Sequence, residues 1–339
     1  MVKRLTLEEI GKLAGVSRST VSRVVNGYPH ISPEIRERVE QIINETGYQP
    51  NFAARSLASS RTQVIALFVP NIVSHIFSDP YFSHLTEGIS RACNAADYTL
   101  SLYLFHSLEE EQRTMDRMLN GRMIDGLIFT ADRDDSGLIP ELRAQQTPFV
   151  MVGRPDDPSI NYVDTDNVNG GYAAGRHILR LRRERIAFIG SHQNNAGRDR
   201  QKGFLKALKE QGVMLPPEMI VIGDFSEDSG YYAMNQLLRH KPGAIFAAND
   251  LMALGALRSI TDAGLTVPDD VAIIGFDDSP AGQLASPPLT TVRQHVHRLG
   301  TTAVEMLLDI LDTGSDAPHR VILPTELVIR ASCGADQRY

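Results

Sequence analysis

Short apolar runs of strand length recur along most of the chain, and they limit its possible folds more than any other feature. The runs occupy residues 64–69, 100–105, 127–129, 149–152, 186–189, 244–247 and 271–274, with patterns typical of helices between them. Continuous stretches of Val, Ile, Leu and Phe between polar turns are typical of parallel strands buried on both faces. Alternating strands and helices therefore predict an α/β fold from about residue 62 onward.

The 339 residues are enough for two or three domains, and the composition favours a cytoplasmic location. The charged amino end contains no apolar stretch suited to a secretory signal. No apolar run approaches the roughly 18 residues that a membrane span requires, so we expect no membrane contact. Two distant cysteines and ten scattered histidines lack the spacing of metal ligands. The sequence predicts neither a metal site nor a cofactor.

The net charge of −7 hides an uneven distribution of charged residues. Residues 1–61 contain nine basic and six acidic residues, a balance of +3, which leaves −10 for the remainder. A small basic segment before a large acidic body predicts that a polyanion binds the first segment alone.

The first fifty residues predict three helices, of which the first two are separated by a very short turn. Thr6 and Glu9 have the spacing of a capping box, so a helix is expected from residue 7. Gly15 is expected to end it in the left-handed conformation, and Ser17 is placed to cap the next helix. A third helix is signalled by Ser32 as cap with proline after it.

The second predicted helix presents a polar surface without an acidic residue. Its valines face inward, and its outward residues are Arg18, Ser19, Ser22, Arg23 and Asn26. Hydroxyl and guanidinium groups suit base edges and phosphates, and an α-helix fits the major groove. A plain three-helix bundle would explain the helices alone, but the tight turn and local positive charge favour a helix-turn-helix head over residues 1–49.

Residues 50–61 form a short segment of small and polar residues between the head and the body. The segment is too short for a stable isolated helix, so a flexible linker is one interpretation. The alternative is a hinge helix that forms when a partner binds. Ala53 and Ala54 would allow close helix pairing, and Leu57 would insert into a minor-groove step and kink the duplex.

Polar residues follow the predicted strands of the body. Ligands of parallel α/β sheets bind beyond the carboxyl ends of the strands, so these residues predict a site for a hydroxyl-rich or otherwise polar small molecule. Each has a structural alternative when taken singly. Asn249 fits a helix N-cap, and Arg200, on a predicted helix over 198–211, fits a solvated side chain.

Several long stretches of the chain form recognisable motifs. In the head these are residues 5–26 (LTLEEIGKLAGVSRSTVSRVVN), 47–51 (GYQPN) and 53–58. In the body they include residues 164–167 (DTDN), 197–204 (GRDRQKGF), 223–225 (GDF), 247–250 (AAND), 275–278 (GFDD), 286–292 (SPPLTTV) and 323–330 (LPTELVIR). Together these stretches closely resemble the lactose-repressor (LacI/GalR) family of bacterial transcription regulators.

The resemblance implies an α/β fold with an N-terminal all-α helix-turn-helix head and a bilobed periplasmic-binding-protein-like core of two Rossmann-like subdomains. Residues 1–49 would be the head, 50–61 the hinge helix and linker, and 62–339 the effector-binding and dimerisation core. The first lobe would comprise about 62–161 plus 292–322, and the second about 162–291 plus 323–339. No leucine heptads follow Arg330, so a homodimer is expected.

The family also implies roles for individual residues. Arg18, Ser19 and Ser22 would read bases, whereas Thr6, Ser17, Arg23 and Asn26 would mostly contact phosphates. The remaining residues expected at the DNA are Thr20, Asn51, Ala54 and Leu57. Those expected at the effector are Asn71, Arg154, Arg200, Phe225, Asn249 and Asp277, with Phe225 stacking on its apolar face.

The sequence therefore predicts a regulator, expected to be a repressor, that binds a pseudo-palindromic operator as a homodimer under the control of a small-molecule effector. The phrase at residues 149–155 (FVMVGRP) resembles sugar-responsive members and favours a mono- or oligosaccharide; a purine corepressor is the alternative. A sugar-binding protein or sensor without DNA function would explain the body but not the basic head. Enzyme signatures such as GxGxxG after the first strand, GxxxxGK[ST], HExxH or GxSxG are missing, so no enzymatic function is predicted.

Overall fold

The computed structural model of the chain describes residues 5–25, 28–48, 61–72, 77–121, 123–130, 138–314 and 317–335. The chain divides into two compact units, residues 1–63 and 64–339. Within the described residues no helix is long and apolar enough to cross a bilayer.

Within its described residues the first unit contains three helices: α1 (Leu7–Ala14), α2 (Arg18–Val25) and α3 (Pro33–Thr46). The predicted capping box at the start of α1 is present, since the Thr6 amide donates to Glu9 Oε2 at 2.8 Å and the Glu9 amide donates to Thr6 Oγ1 at 3.3 Å. Gly15 ends α1 at φ +64°, and Ser32 caps α3 as predicted. Local chemistry alone therefore sets these helix boundaries.

The turn between α1 and α2 is closed by direct backbone contact. The Val16 amide donates to the Gly11 carbonyl at 2.9 Å. A Cβ atom on Gly11 would lie 2.8 Å from the Val16 carbonyl oxygen, so a larger residue does not fit there without displacement of the turn. Ile10, Ala14, Val21, Val24 and Val39 form the buried core of the three helices.

The second unit contains two six-stranded sheets. Their strands are β1 (Val64–Ile72), β2 (Thr99–Phe105), β3 (Gly126–Thr130), β4 (Phe149–Val152), β5 (Tyr162–Thr165), β6 (Ile186–Ser191), β7 (Ile220–Gly223), β8 (Ala244–Ala247), β9 (Ala272–Asp277), β10 (Thr290–Arg293), β11 (Arg320–Leu323) and β12 (Glu326–Val328). The orders are β11-β5-β4-β3-β1-β2 and β12-β10-β9-β8-β6-β7. Among these strands the pairing is parallel except between β10 and β12.

Helices cover both sheets, as continuous apolar strands require. They are α4 (Pro80–Ala95), α5 (Leu108–Asn120), α6 (Leu138–Ala144), α7 (Asn167–Arg180), α8 (Asn195–Glu210), α9 (Glu227–Leu237), α10 (Asp250–Asp262), α11 (Pro280–Leu284) and α12 (Val296–Thr313), with short 3-10 helices at Pro217–Met219, Leu238–His240 and Ala331–Cys333. Strand β1 shows the double burial: Ile65 and Leu67 join the apolar cluster on one face of the sheet, and Ala66 and Phe68 join the other.

The chain passes between the two lobes three times, as the resemblance implied: after β5, after β10 and between β11 and β12. The predicted lobe boundary near residue 161 needs correction, because β5 pairs with β4 and β11 in the first-lobe sheet. Likewise β10 (Thr290–Arg293) belongs to the second-lobe sheet, beyond the predicted boundary at residue 292. Both crossings therefore follow the end of a strand.

Candidate effector cleft and DNA-binding surface

A cleft between the two lobes opens at the carboxyl ends of their parallel strands, as expected for this sheet topology. It encloses about 1000 Å³ of empty space, including solvent at its mouth. Five of the six predicted effector residues line it: Arg154, Arg200, Phe225, Asn249 and Asp277. The sixth, Asn71, lies in β1, but its side chain is outside the described part of the structure.

Arg200, on α8, is held rigidly at the base of the cleft. Its Nε donates to Asn167 Oδ1 at 2.9 Å and its NH1 donates to the Ala248 carbonyl at 2.7 Å, while the guanidinium lies 3.7 Å from the centre of the Phe276 ring. Only 5 % of the residue is exposed. The interpretation of Arg200 as a solvated helix residue is therefore wrong, because its charge is buried and fixed in direction.

Asp277 connects Arg200 to the segments that cross between the lobes. Its Oδ1 lies 3.4 Å from Arg200 NH1 and accepts from Gln294 Nε2 at 2.6 Å. Gln294 Oε1 in turn accepts from the Thr165 hydroxyl at 2.9 Å, at the end of the first-lobe strand β5. A hydrogen-bonded chain therefore runs from one lobe to the other beneath the cleft. Sequence reasoning gave Thr165 and Gln294 no role, and no local pattern distinguishes them.

Two carboxyl groups at this base have altered acidity. Burial raises the pKa of Asp277 well above the usual range of an aspartate, against the opposing effect of the Arg200 charge. Burial also raises the pKa of Asp164 to about 7. Asp164 Oδ1 accepts from Asn167 Nδ2 at 3.2 Å. The cleft thus offers carboxyl oxygens and a fixed cation within one small region, which suits a ligand that both donates and accepts hydrogen bonds.

Phe225 and Asn249 form a second part of the cleft wall. Asn249 caps α10, since its Oδ1 accepts from the Met252 amide at 2.9 Å, and its Nδ2 donates to the Phe225 carbonyl at 2.8 Å. Phe225 has φ +69°, an uncommon conformation for an aromatic residue. The capping interpretation of Asn249 is therefore confirmed, and the same amide holds the backbone of Phe225 at the cleft.

Arg154 connects the lobes at another point of the cleft. Its Nε and NH2 both lie 2.9 Å from Asp199 Oδ2 on α8. Asn195 Nδ2 donates to the Arg154 carbonyl at 2.9 Å and to Asp156 Oδ1 at 2.9 Å. These contacts fasten the segment after β4 to the second lobe, and Asp199 and Asn195 were not among the predicted site residues.

Thr130, at the end of β3, is a buried polar residue of the cleft wall. The residue is 5 % exposed, and among the described residues its hydroxyl has no hydrogen-bond partner. It lines the same cleft as Arg200 and Phe225. A buried polar atom without a partner is costly, so a ligand or water in the cleft is expected to satisfy it.

The predicted DNA-binding residues of the head lie on or beside α2. Ser17, Arg18, Ser19 and Arg23 are exposed, and Thr20 and Ser22 are partly exposed. Ser17 Oγ lies 2.7 Å from Ser19 Oγ and 2.9 Å from Thr20 Oγ1, so the hydroxyls cluster at the helix start, and Thr6 caps α1. Asn26, Asn51, Ala54 and Leu57 lie outside the described residues.

Comparison with known families gives two matches. Residues 6–51 match the bacterial regulatory proteins of the lacI family, and residues 176–333 match a periplasmic binding protein-like domain. The first match contains the three-helix head, and the second contains most of the second lobe with α12. Both agree with the helix-turn-helix head and the two-lobed core described above.

Relatives of known role resemble the chain over nearly its whole length. The HTH-type transcriptional regulator CelR of Thermobifida fusca is 37% identical over 97% of this chain and 98% of that protein. The HTH-type transcriptional repressor PurR of Erwinia tasmaniensis is 36% identical over 96% of each.

Solved structures extend the likeness to three dimensions. A complex of CelR with cellobiose superposes with a TM-score of 0.77 at 35% identity, covering 97% of this chain and 100% of that chain. The lac repressor dimer bound to operator and the anti-inducer ONPF superposes with a TM-score of 0.85 at 29% identity, covering 98% and 99%. The chain therefore belongs to the LacI family of bacterial regulatory proteins and is a DNA-binding transcriptional regulator.

Proposed function

We propose that this regulator is a cytoplasmic, homodimeric repressor whose operator affinity is controlled by a carbohydrate bound in the cleft between the lobes. The observation that carries this proposal is the base of the cleft, where Arg200 and Asp277 join a hydrogen-bonded chain from one lobe to the other. A ligand that replaces or tightens these contacts changes the relative free energies of the open and closed cores.

The chemistry of the cleft favours a sugar. Sugar hydroxyls donate to carboxylates and accept from guanidinium and amide groups, and Asp277, Arg200 and Asn249 supply both kinds of partner. Phe225 supplies an aromatic ring at the wall, against which the apolar face of a pyranose would pack. The similarity to the CelR complex with cellobiose supports a disaccharide.

Binding in solution distinguishes a sugar from a purine. We expect calorimetric titration of the full-length protein with cellobiose and related disaccharides to give saturable binding, and titration with hypoxanthine and guanine to give none. Arg200→Lys should lower the affinity for the sugar. Lys202→Ala, which replaces an exposed residue on the same helix, should leave this affinity unchanged. Saturable purine binding without sugar binding would support a purine corepressor instead. The similarity to a PurR repressor is the reason for testing this alternative.

The head is proposed to read one half-site of a pseudo-palindromic operator in each protomer. Arg18, Ser19 and Ser22 would contact bases, and Thr6, Ser17, Arg23 and Asn26 would contact phosphates, with Thr20 as a further DNA-binding residue. Selection of bound duplexes from random DNA should yield an inverted repeat. Removal of residues 1–61 should abolish this binding and leave sugar affinity unchanged. Failure of the full-length protein to select an inverted repeat would contradict the half-site assignment.

The segment around Asn51, Ala54 and Leu57 is proposed to form the hinge helix that bends the operator. We expect Leu57→Ala to lower operator affinity and to reduce the bend measured by circular-permutation gel mobility, because an inserted side chain separates the central base step. Leu284→Ala is the matched control, since this leucine of the core is 86 % exposed. Unchanged affinity and mobility in Leu57→Ala would contradict the hinge.

A further inference from the structure

Two histidines and a glutamate lie together where α4 meets α12, outside the group that lines the effector cleft. His84 and Glu87 are three residues apart on α4, so they share one helix face. His297 is the second residue of α12. The rings of His84 and His297 have centres 4.9 Å apart, and His297 Nε2 lies 3.7 Å from Glu87 Oε2. One ligand atom from each residue lies within 4.8 Å of the other two.

The two helices hold these side chains at a fixed separation because their backbones touch. A Cβ atom on Gly88 of α4 would lie 2.2 Å from the His297 carbonyl oxygen, and one on Gly300 of α12 would lie 2.6 Å from the Leu85 carbonyl oxygen. Glycine at both positions lets the helices approach directly beside the cluster. The imidazoles therefore face each other across a close-packed backbone contact, not across a mobile surface.

We propose that His84, Glu87 and His297 bind one divalent transition-metal ion, with Zn²⁺ as the best match. Two imidazoles and one carboxylate are a common ligand set for zinc, and imidazole selects against Mg²⁺ and Ca²⁺, which prefer oxygen. Tetrahedral bonds of about 2.0–2.1 Å place ligand atoms roughly 3.4 Å apart, so only small side-chain rotations are needed. Water would complete the fourth position.

One existing contact competes with the metal. Glu87 Oε1 accepts from Arg91 NH2 at 3.1 Å, one turn along α4. Both side chains are more than half exposed, and an exposed ion pair of this kind contributes little to stability. Glu87 also carries a second carboxylate oxygen, which already faces His297. The ion pair therefore does not prevent coordination.

The position of the cluster gives a bound ion a structural consequence. Tyr81 of α4 and Leu299 of α12 line the effector cleft and lie within three residues of His84 and His297 along the same helices. Both histidines also line a groove whose opposite wall includes Pro280 and Gln283 of the second lobe. A metal ion would cross-link the two first-lobe helices at this groove. The proposal rests on this geometry and not on the nature of the effector.

The test uses chelator-treated full-length protein and Zn²⁺, added as a metal–buffer series. We expect one tight equivalent of Zn²⁺ per chain, no binding of Mg²⁺, and a rise in Tm on addition of zinc. His84→Ala, Glu87→Ala and His297→Ala should each weaken zinc binding at least tenfold and remove the rise in Tm. His240→Ala, at an exposed histidine of the second lobe, is the matched control and should bind as the unmodified protein does.

A second measurement needs no variant and so does not depend on how the substituted proteins fold. Zinc should protect His84 and His297, but not His240, from acylation by diethyl pyrocarbonate, read by mass spectrometry of peptides. Equal zinc affinity in the three variants and the control, or equal labelling of all three histidines with and without zinc, would overturn the site.

Discussion

Arg200 illustrates how a single residue links the cleft to the whole core. Its guanidinium is buried against Phe276, donates to Asn167 and the Ala248 carbonyl, and faces the Asp277 carboxyl. A guanidinium presents five donors in a rigid planar fork, whereas an ammonium group is a compact charge on a flexible stem. We propose that this residue senses a ligand in the cleft and transmits its presence to the interlobe hydrogen bonds.

We expect Arg200→Lys to lower effector affinity about 10- to 100-fold, because hydrogen bonds to charged groups contribute about 1.5–3 kcal/mol. Arg200→Ala should abolish the effector response. Operator affinity without effector should stay unchanged in both, because Arg200 is not among the residues proposed to contact DNA. Calorimetry measures the first effect and fluorescence anisotropy with labelled operator measures the second. A retained effector response in Arg200→Ala would show that the site is placed wrongly.

Asp164 makes the stability of the core depend on pH. Burial raises its pKa to about 7, above the value of about 3.9 in an unfolded chain, so the folded protein binds more protons between these values. The free energy of unfolding should therefore decrease as the pH rises from 4 to 7. We expect Asp164→Asn to remove up to about 4 kcal/mol of this decrease in urea unfolding at pH 4 and pH 8. Parallel pH profiles of the two proteins would contradict this assignment.

At the scale of elements, the sequence predicted the strands that are long apolar runs and the helices that begin with capping side chains. The seven continuous apolar runs are all strands, and the caps at Thr6 and Ser32 fall where predicted. Strands β5, β7, β10, β11 and β12 were not predicted. Strand β7 is a short apolar run of four residues, Ile220–Gly223, at the edge of its sheet, and β10 is buried but begins with two threonines. Both contain residues of high β propensity, and pairing with neighbouring strands decides which of such short runs become strands.

The candidate site was predictable to the same limited extent. Residues such as Arg200 and Asp277 stood out through family resemblance and position after strands. Gln294, Asp199 and the His84–His297 pair did not, because each acts on a residue far away in the sequence. Only the packing of α4 against α12, or of one lobe against the other, brings such pairs together.

The α1–α2 turn offers a test of the head as an element. A Cβ atom on Gly11 would lie 2.8 Å from the Val16 carbonyl oxygen, which is backbone and cannot rotate away. We expect Gly11→Ala to destabilise the head by roughly 1–3 kcal/mol, as overpacking does. Hydrogen exchange in residues 7–46 should become faster and operator binding weaker, with exchange in the core unchanged. Lys12→Ala, which replaces an exposed residue of α1, should change the hydrogen-exchange rates of neither the head helices nor the core. Equal exchange rates in Gly11→Ala and the unmodified head would show that the turn accommodates the methyl group.

At the scale of the whole molecule, the charge distribution favours DNA contact through residues 1–61 over contact through the acidic core. Residues 1–61 carry +3 and the remainder −10, so the acidic core gains nothing from approaching phosphates.

Each phosphate neutralised by Lys or Arg contributes about −0.9 to the slope of log K against log salt concentration. In the proposed homodimer, one phosphate contact per protomer adds two contacts to this slope. We therefore expect Arg23→Ala to make this slope shallower by about 2, measured by anisotropy between 50 and 200 mM salt. Lys202→Ala, a core change, should leave the slope unchanged; a shallower slope in that variant would mean that the core itself touches the operator.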